Sequence, residues 1–369
     1  MPIYMDRHDV SDVVTAEAVA QLHQQDLKIQ EEFNCKGLTY WFDGNRKTAF
    51  CLVEAPNKQC LIDMHNHAHG EIPNQIIEVD ASVVESFLGR IEDPEKSQDT
   101  DLNIIDDPAF RIIMYIGFSN LPFSSNKIAD KGFEPQARMN LLSEVFSDFG
   151  GRIVTRNHDH FIVSFDSGLQ AAWCAVEVHS KFEEWEETAD RDRVNLKTGI
   201  SAGVPVTNKK LFFEEALQSA ERMYHIADSR IVVSSEVKKI CKQENSNVFV
   251  DNDLVYAMTP SDEQFLEKLM SYISETWQNP DLHIDNLGSH LGFSKSQLYR
   301  KITSLVGISP NNFIKDFRLN KALSLINTQT HSISEVAYET GFNSPSYFTK
   351  CFLGKYGLLP SQYQNIIAE

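Results

Sequence analysis

The apolar positions in the last third of the chain recur at the three- and four-residue spacing of amphipathic helices. A short helix is predicted over residues 284–291 and ends at Gly292, which can adopt the left-handed conformation that a sharp turn requires. Ser294 can cap the helix that follows, over residues 295–305. This segment therefore predicts two helices joined by a tight glycine turn.

The same arrangement recurs further along the chain. A short helix is predicted over residues 333–340, Gly341 provides the turn, and Ser344 and Pro345 begin the next helix as its cap and its first residue. Between the two units, a long helix that starts after Ser309 carries an apolar stripe. The sequence thus predicts an all-helical domain with two related units.

Strand-like runs alternate with helical segments in the upstream part of the chain. Residues 1–80 predict a strand, a helix, a hairpin that turns at Asp43-Gly44, a second helix and a last strand. This βαββαβ order is that of a ferredoxin-like sandwich. We therefore expect a multidomain α+β protein with a ferredoxin-like domain at 1–90, an acidic linker at 91–107, a central α/β domain at 108–258 and an all-α domain at 262–369.

The charge balance changes along the chain. The 34 Lys and Arg residues are outnumbered by 52 Asp and Glu, and a net charge of -18 would repel DNA if it were spread evenly. Residues 262–369 contain nine basic and ten acidic residues, which leaves -17 upstream, and residues 285–355 carry +4. The charge therefore does not exclude a DNA-binding role for the C-terminal domain.

Composition indicates a globular protein with reduced thiols. Apolar residues make up 42% of the chain, enough to fill real cores. No apolar run reaches the roughly 20 residues that a membrane helix needs, and the start of the chain lacks a signal-peptide pattern. The six cysteines are scattered, without a CxxC pair, which favours free thiols over a disulfide framework. We expect a cytoplasmic protein.

A short helix, a glycine turn and a capped second helix form the helix-turn-helix plan, in which the second helix enters the major groove of DNA. Two such units could read two successive grooves about 34 Å apart, so the predicted partner is double-stranded DNA. The alternative is a helical bundle with ordinary turns. The predicted DNA-contacting residues are Ser296, Gln297, Arg300, Lys301, Ser346, Tyr347, Thr349 and Lys350.

The second unit reads Gly341-Phe342-Asn343-Ser344-Pro345-Ser346-Tyr347-Phe348-Thr349-Lys350-Cys351-Phe352 and is followed by Gly357-Leu358-Leu359-Pro360-Ser361-Gln362-Tyr363. In these residues the last hundred or so positions closely resemble the AraC-type transcriptional regulators. The resemblance implies a sequence-specific DNA-binding regulator, and we expect it to act as a homodimer. Cys351 stands where the family usually has a basic or polar residue, which removes one phosphate contact.

Five of the twelve histidines lie within residues 1–80. His65 and His69 are four positions apart on a predicted helix and can offer two imidazoles to one metal ion. Cys51 on the third strand, and His8 with Asp6 at the end of the first, could add ligands. Imidazole and thiolate together favour nickel, zinc, copper or cobalt. The alternative is that the histidine pair only interacts with the helix dipole. The predicted metal ligands are His8, Cys51, His65 and His69.

Four stretches of the N-terminal domain resemble a small family of nickel-binding ferredoxin-like proteins. They are Tyr4-Met5-Asp6-Arg7-His8, Tyr40-Trp41, Phe50-Cys51-Leu52-Val53-Glu54-Ala55-Pro56 and His65-Asn66-His67-Ala68-His69-Gly70. The resemblance implies a transition-metal cofactor, with nickel as the specific candidate. We expect no organic cofactor.

The central domain resembles class III nucleotide cyclases in Gly117-Phe118-Ser119, Gly150-Gly151, Gly199-Ile200-Ser201-Ala202-Gly203 and the pair Gln218 and Arg222. Active cyclases hold two metal ions with two aspartates. Met114 stands in place of the first, and a thioether is a poor ligand for magnesium. We therefore predict an inactive sensing or dimerisation domain, with Asp159 and Arg222 as a vestigial nucleotide site.

The predicted function is a transcriptional regulator, not an enzyme, with a C-terminal DNA reader and an N-terminal metal sensor. Two alternatives compete with it. The first is a nucleotide-binding or cyclase-type enzyme with a regulatory helix-turn-helix tail, which would require the missing carboxylate. The second is a metal-storage protein with vestigial DNA binding, which the outward basic residues of the last domain disfavour.

Overall fold

The structure, a computed structural model, describes residues 1–95, 102–119, 135–157, 160–188, 195–244 and 253–368. Two α/β segments are followed by an all-helical one, as the hydrophobic pattern predicts. Asp159, which we predict to belong to the vestigial nucleotide site, lies outside the described residues. No helix among the described residues is both long enough and apolar enough to cross a membrane.

The N-terminal domain is a four-stranded antiparallel sheet with the predicted βαββαβ order. Its elements are β1 (Ile3–Asp9), α1 (Ala16–Ile29), β2 (Lys36–Asp43), β3 (Thr48–Glu54), α2 (Lys58–Ala68), β4 (Gln75–Val79) and α3 (Ala81–Leu88). The strands are ordered β2-β3-β1-β4. Asp43 shapes the hairpin, since its Oδ1 accepts the backbone N–H groups of Asn45 and Arg46 at 2.9 Å each.

Both faces of this sheet are buried. On one face, Tyr40 and Cys51 pack in a core with residues of α1 and α2. On the other face, Trp41 and Phe50 share a core with the central domain, including Phe213. This two-sided burial explains why β3 is apolar almost throughout, where a half-exposed strand would alternate.

The central domain is built on a six-stranded sheet ordered β10-β9-β8-β5-β7-β6. Its elements are β5 (Arg111–Ser119), α4 (Pro135–Asp148), β6 (Arg152–Arg156), β7 (His160–Phe165), α5 (Gly168–Thr188), β8 (Asn195–Gly203), α6 (Glu214–Ile226), β9 (Ile231–Val233), α7 (Ser235–Gln243) and β10 (Val255–Ala257). Strands β5 to β8 repeat the order and antiparallel pairing of the N-terminal sheet. Strands β9 and β10 extend the β8 edge in parallel.

The two faces of the central sheet have different neighbours. Met114 and Phe161 point into a core that α4 and α5 complete. Helix α6 covers the opposite face, and it packs so closely on β8 that a Cβ at Gly199 would lie 2.1 Å from the carbonyl oxygen of Ala220. Met114 is therefore an ordinary core residue on the α5 side of the sheet.

The C-terminal domain consists of α8 (Pro260–Thr276), α9 (Ile284–Leu291), α10 (Lys295–Val306), α11 (Pro310–Asn327), α12 (Ile333–Glu339), α13 (Pro345–Tyr356) and α14 (Pro360–Ala368). The first core joins α8, α9, α10 and the start of α11 to the end of α6, where Met223 and Ile226 contribute. The second core joins the rest of α11 to α12, α13 and α14. The long helix α11 thus belongs to both units, as its apolar stripe predicts.

Candidate metal centre and DNA-reading helices

His65 is the centre of a buried polar network in the N-terminal domain. It lies on α2 with its side chain 1% exposed, and each ring nitrogen meets a carboxylate. Its Nε2 is 2.9 Å from Oδ2 of Asp6 on β1, and its Nδ1 is 3.0 Å from Oδ1 of Asp26 on α1. The imidazole of α2 therefore connects this helix to the sheet and to α1.

One candidate ligand group lies on the sheet side of His65. It consists of Asp6, His8, Cys51 and His65, whose ligand atoms all lie within 4.8 Å of one another. The Nε2 of His8 is 3.3 Å from Oδ1 of Asp6, and that same oxygen accepts the backbone N–H of Cys51 at 3.1 Å. The pairing of Asp6 with Cys51 across β1 and β3 brings the carboxylate and the thiol to one point of the sheet.

A second candidate group lies on the helix side and consists of Asp26, His65 and His69. The Nε2 of His69 is 3.2 Å from Oδ1 of Asp26, while its Nδ1 accepts the backbone N–H of Glu71 at 3.1 Å. This hydrogen bond fixes the ring so that Nε2 faces the site. Since His65 presents one nitrogen to each group, the two groups share a single imidazole.

The electrostatics of the network favour the charged forms of Asp6 and His65. Burial acts to raise the pKa of Asp6, but the neighbouring His8 and His65 outweigh it and hold this pKa below its ordinary value. Burial acts to lower the pKa of His65, but Asp6 and Asp26 raise it to about 10. Burial, with Asp6 adding to it, raises the pKa of the Cys51 thiol, so this thiol keeps its proton unless a cation displaces it.

The structure divides the four predicted ligands between the two groups. His8, Cys51 and His65 come together on the sheet side, and His69 joins Asp26 on the helix side. His67 is exposed and its ring lies 5.7 Å from that of Phe33, outside both groups. Asp26 is absent from the predicted set. The hydrophobic pattern places it on α1, but which residue of α2 it faces depends on the packing of the two helices.

The first recognition helix is α10. Its N-terminus is closed by a capping box, in which Oε1 of Gln297 accepts the backbone N–H of Ser294 at 3.0 Å. Leu298 and Ile302 are buried. The exposed side chains are those of Lys295, Ser296, Gln297, Tyr299 and Arg300. Tyr299 is 49% exposed and was absent from the predicted set, although it shares a helix face with Ser296.

Lys301 departs from the predicted outward position. Its ammonium forms an ion pair with Asp262 on α8 and lies 5.6 Å from the ring centroid of Phe265. It is directed toward α8 because it follows Arg300 by one position, which turns it about 100° around the helix. The structure thus corrects the predicted outward position of Lys301, which ties α10 to α8, while its contact with DNA stays a prediction.

The second recognition helix is α13, capped by Ser344, whose side chain accepts the backbone N–H of Tyr347. Phe348 and Phe352 are fully buried. Ser346, Tyr347 and Lys350 are exposed, and Thr349 is half-buried at the edge of the helix face. The predicted residues of this helix thus lie on its outer face or beside it.

Arg318 holds the two units in one arrangement. From α11, its Nε donates to the carbonyl oxygen of Trp277 at 2.8 Å and its Nη2 to that of Asn279 at 2.6 Å. These carbonyl oxygens lie at and just beyond the end of α8, where no following turn of helix supplies a backbone N–H group to donate to them. The connecting helix is thereby fixed to the first helix of the domain.

The predicted vestigial nucleotide site has one described member. Arg222 on α6 donates to Oε1 of Gln218 at 3.1 Å and lies 3.8 Å from Glu267 on α8. Both contacts occupy the guanidinium at the boundary with the C-terminal domain. Its role in the described structure is to join α6 to α8.

Comparison with known proteins assigns two of the three segments. Residues 287–366 match the family described as "Helix-turn-helix domain", and residues 4–79 match the family described as "Nickel responsive protein SCO4226-like". The chain joins a SCO4226-like domain to an AraC-type helix-turn-helix domain. AraC-type helix-turn-helix domains bind DNA. Neither matched segment includes the central domain, so its predicted likeness to nucleotide cyclases is not confirmed.

Three known proteins illustrate these similarities. Histidine kinase P4 of Formosa agariphila is 38% identical over 194 residues, which are 50% of this chain and 14% of the kinase. The HTH-type transcriptional regulator MtrA of Neisseria gonorrhoeae is 32% identical over 99 residues, 27% of this chain and 31% of MtrA. The crystal structure of SCO4226 from Streptomyces coelicolor A3(2) is 30% identical, with 21% of this chain and 94% of that chain covered and a TM-score of 0.20.

This chain therefore spans 14% and 31% of the lengths of these two curated relatives. MtrA and a further relative of the AraC-type domain are named as HTH-type transcriptional regulators, whereas the relative that matches half of this chain is named as a histidine kinase.

Proposed function

We propose that this protein is a sequence-specific transcriptional regulator whose N-terminal domain senses a transition metal, with nickel as the first metal to test. One observation carries the proposal. A buried group of imidazole, thiol and carboxylate donors occurs in the same chain as two outward-facing recognition helices. Following the symmetry common among such regulators, we further infer that it works as a homodimer, which sedimentation can test.

The donor set suits a transition metal. Asp6, His8, Cys51 and His65 would hold the ion, and Asp26 would orient the ring of His65 from the opposite side. A bound ion would bring a divalent charge to a position between β1, β3 and α2. His65 connects these elements to α1, so its hydrogen bonds transmit the state of the site to the rest of the domain.

Helix α6 supplies a direct route from this domain to the DNA reader. At its start, Phe213 stacks on Phe87 of α3, with ring centroids 4.9 Å apart and an interplanar angle of 17°. At its end, Met223 and Ile226 pack in the core of α8. A single helix thus contacts both terminal domains, and a shift of the N-terminal sheet would act on α8. The coupling requires that the two states of the regulator differ in metal affinity.

Nickel titration by calorimetry on the full chain tests the sensor. We expect wild type to bind, His65→Gln and Cys51→Ser to lose at least tenfold in affinity, and His67→Gln to match wild type. His67 is the matched control because it lies on the same helix outside both ligand groups. Retained affinity in both ligand variants would refute the sheet-side site, and retained affinity in His65→Gln would also refute the helix-side one.

The competing functions have less support. A cyclase-type enzyme would need a carboxylate at Met114, which is instead buried in the core facing α5. A metal store would have no use for Ser296, Arg300 and Lys350 on the exposed faces of two capped helices. Operator selection with the purified protein separates the metal store from a regulator, because only a regulator selects a defined DNA sequence. An assay for cyclic-nucleotide formation from ATP or GTP with magnesium or manganese tests the cyclase-type enzyme.

A further inference from the structure

A cleft of about 640 Å³ separates the central domain from the C-terminal domain. Strands β5 and β8 and helix α6 form one wall, and helices α11, α13 and α14 form the other. This volume lies within the range of small-molecule sites, which often form between domains. The metal groups of the N-terminal domain lie elsewhere, and the exposed faces of α10 and α13 do not line the cleft.

One wall of the cleft is aromatic. The rings of Tyr115 and His160 are stacked, with centroids 4.7 Å apart and an interplanar angle of 13°. Tyr224 of α6 continues this surface, 4.7 Å from Tyr115. Phe313 and Phe317 of α11 line the opposite side. A flat apolar body can therefore contact aromatic side chains from both domains.

Lys197 provides a cation that the described residues leave incompletely paired. Its Nζ donates to the carbonyl oxygen of His225 at 3.2 Å and lies 5.5 Å from the ring centroid of Tyr224, and neither of these described contacts neutralises its charge. Burial lowers its pKa to about 8, with Lys355 adding to this and with Asp228 and Asp316 opposing it. An anionic group placed here would offset the cost of partly desolvating this half-buried ammonium.

Lys321, Lys355 and His225 also line the cleft. Lys321 is exposed, and its Nζ lies 5.4 Å from the ring centroid of Phe317. Lys355 donates to Oδ1 of Asn320 at 2.9 Å and lies 3.8 Å from Asp316. His225 lies 3.7 Å from Glu221. Lys197 is thus the cation best placed to meet a ligand.

We propose that the cleft binds a small planar organic anion, with its ring against the aromatic wall and its anionic group at Lys197. Such a ligand would contact α6 of the central domain and, through Lys355 and Tyr356, the end of the second recognition helix. Occupancy would fix the orientation of α13 relative to the central domain. This regulatory consequence rests on the proposed function, whereas the binding itself does not.

Calorimetry on the full chain, without DNA or metal, tests the binding. The probes are 2-naphthoate and its neutral analogue 2-naphthamide, which differ in charge but share the ring. We expect one naphthoate per chain and an affinity at least tenfold higher than that of naphthamide. Absence of binding of naphthoate at 5 mM, roughly the weakest affinity expected of a ligand of this size, would overturn the proposal.

Three variants locate the site. Lys197→Met should remove the preference for the anion and leave both probes with similar affinities. Ser324→Trp, at an exposed position that lines the cleft, should abolish binding of both probes by filling the space. Lys209→Met is the matched control, because this exposed lysine lies outside the cleft. Naphthoate binding that is unchanged in both cleft variants would contradict the proposal, and since no DNA is present, that result leaves the DNA reader untouched.

Discussion

Gly341, at the turn of the second helix-turn-helix unit, lies directly against the carbonyl oxygen of Trp277 at the end of α8. A Cβ at Gly341 would stand 2.7 Å from that oxygen and 3.0 Å from Nε of Arg318. Gly292 holds the equivalent turn of the first unit at a similar φ, +74° against +76°, but a Cβ there would meet nothing within 4 Å. At position 292 glycine is needed only for the left-handed backbone conformation. At position 341 it is needed for that conformation and also because a side chain would not fit against Trp277 and Arg318.

Alanine substitutions should separate these two roles. Gly292→Ala should lower the free energy of unfolding by about 1 kcal/mol, the usual cost of a left-handed alanine. Gly341→Ala should cost about 3 kcal/mol or more, since backbone atoms must also move and the Arg318 hydrogen bonds are disturbed. Urea unfolding followed by circular dichroism measures both. Equal losses would show that the contact with Trp277 is unimportant.

Arg300 and Lys301 are adjacent basic residues with different environments. Arg300→Ala should weaken binding to a selected operator by about 1–3 kcal/mol, because its exposed guanidinium, whose Nε donates among the described residues only to the carbonyl oxygen of Ser296 at 3.4 Å, can reach a base edge or phosphate. Lys301→Met should change operator affinity by less than about threefold, since its ammonium is paired with Asp262. Fluorescence anisotropy with labelled operator compares the two. A larger effect from Lys301 would contradict the arrangement of α10 and α8.

His179 gives the central domain a pH-dependent stability. Its Nε2 lies 3.0 Å from Oγ1 of Thr198 in the core, and burial lowers its pKa to about 4 from the ordinary 6.5. Below pH 6.5 the unfolded chain gains a proton that the folded chain does not, so this contribution to stability is lost as the pH falls toward 4.

The comparison with His179→Gln isolates this effect, because glutamine does not titrate. Between pH 7.5 and pH 5.0, the unfolding free energy of wild type should fall by about 2 kcal/mol more than that of the variant. The reason is that pH 5.0 lies about 1.5 units below the pKa of histidine in the unfolded chain, and each unit contributes about 1.4 kcal/mol. Urea titrations at the two pH values provide the measurement. A difference that stays constant with pH would mean that His179 titrates normally in the folded protein.

The sequence predicts local features well where one or two residues determine them. Asp43-Gly44 marks the hairpin because the aspartate side chain caps the turn itself. Gly292 and Ser294 mark the first unit because a left-handed residue and an N-cap are needed within three positions. The βαββαβ order of the first domain follows from the same kind of local signal.

Features that depend on packing between elements are not predictable in this way. Asp26 meets His65 only because α1 and α2 lie side by side on the sheet, and one sequence does not give their relative rotation. Lys301 is basic and lies on a recognition helix, but its ammonium forms an ion pair with Asp262 of another helix. The cleft around Lys197 likewise exists only where two domains meet.

The central claim is that metal binding around His65 changes how strongly the chain binds its operator. The most direct test is the dissociation constant of the full chain for a selected operator, measured with nickel and with a chelator at one salt concentration. Wild type and His67→Gln should each show at least a fivefold difference between the two conditions, and His65→Gln should show none. Equal operator affinity in wild type with and without nickel, under conditions where calorimetry shows the metal bound, would contradict the claim.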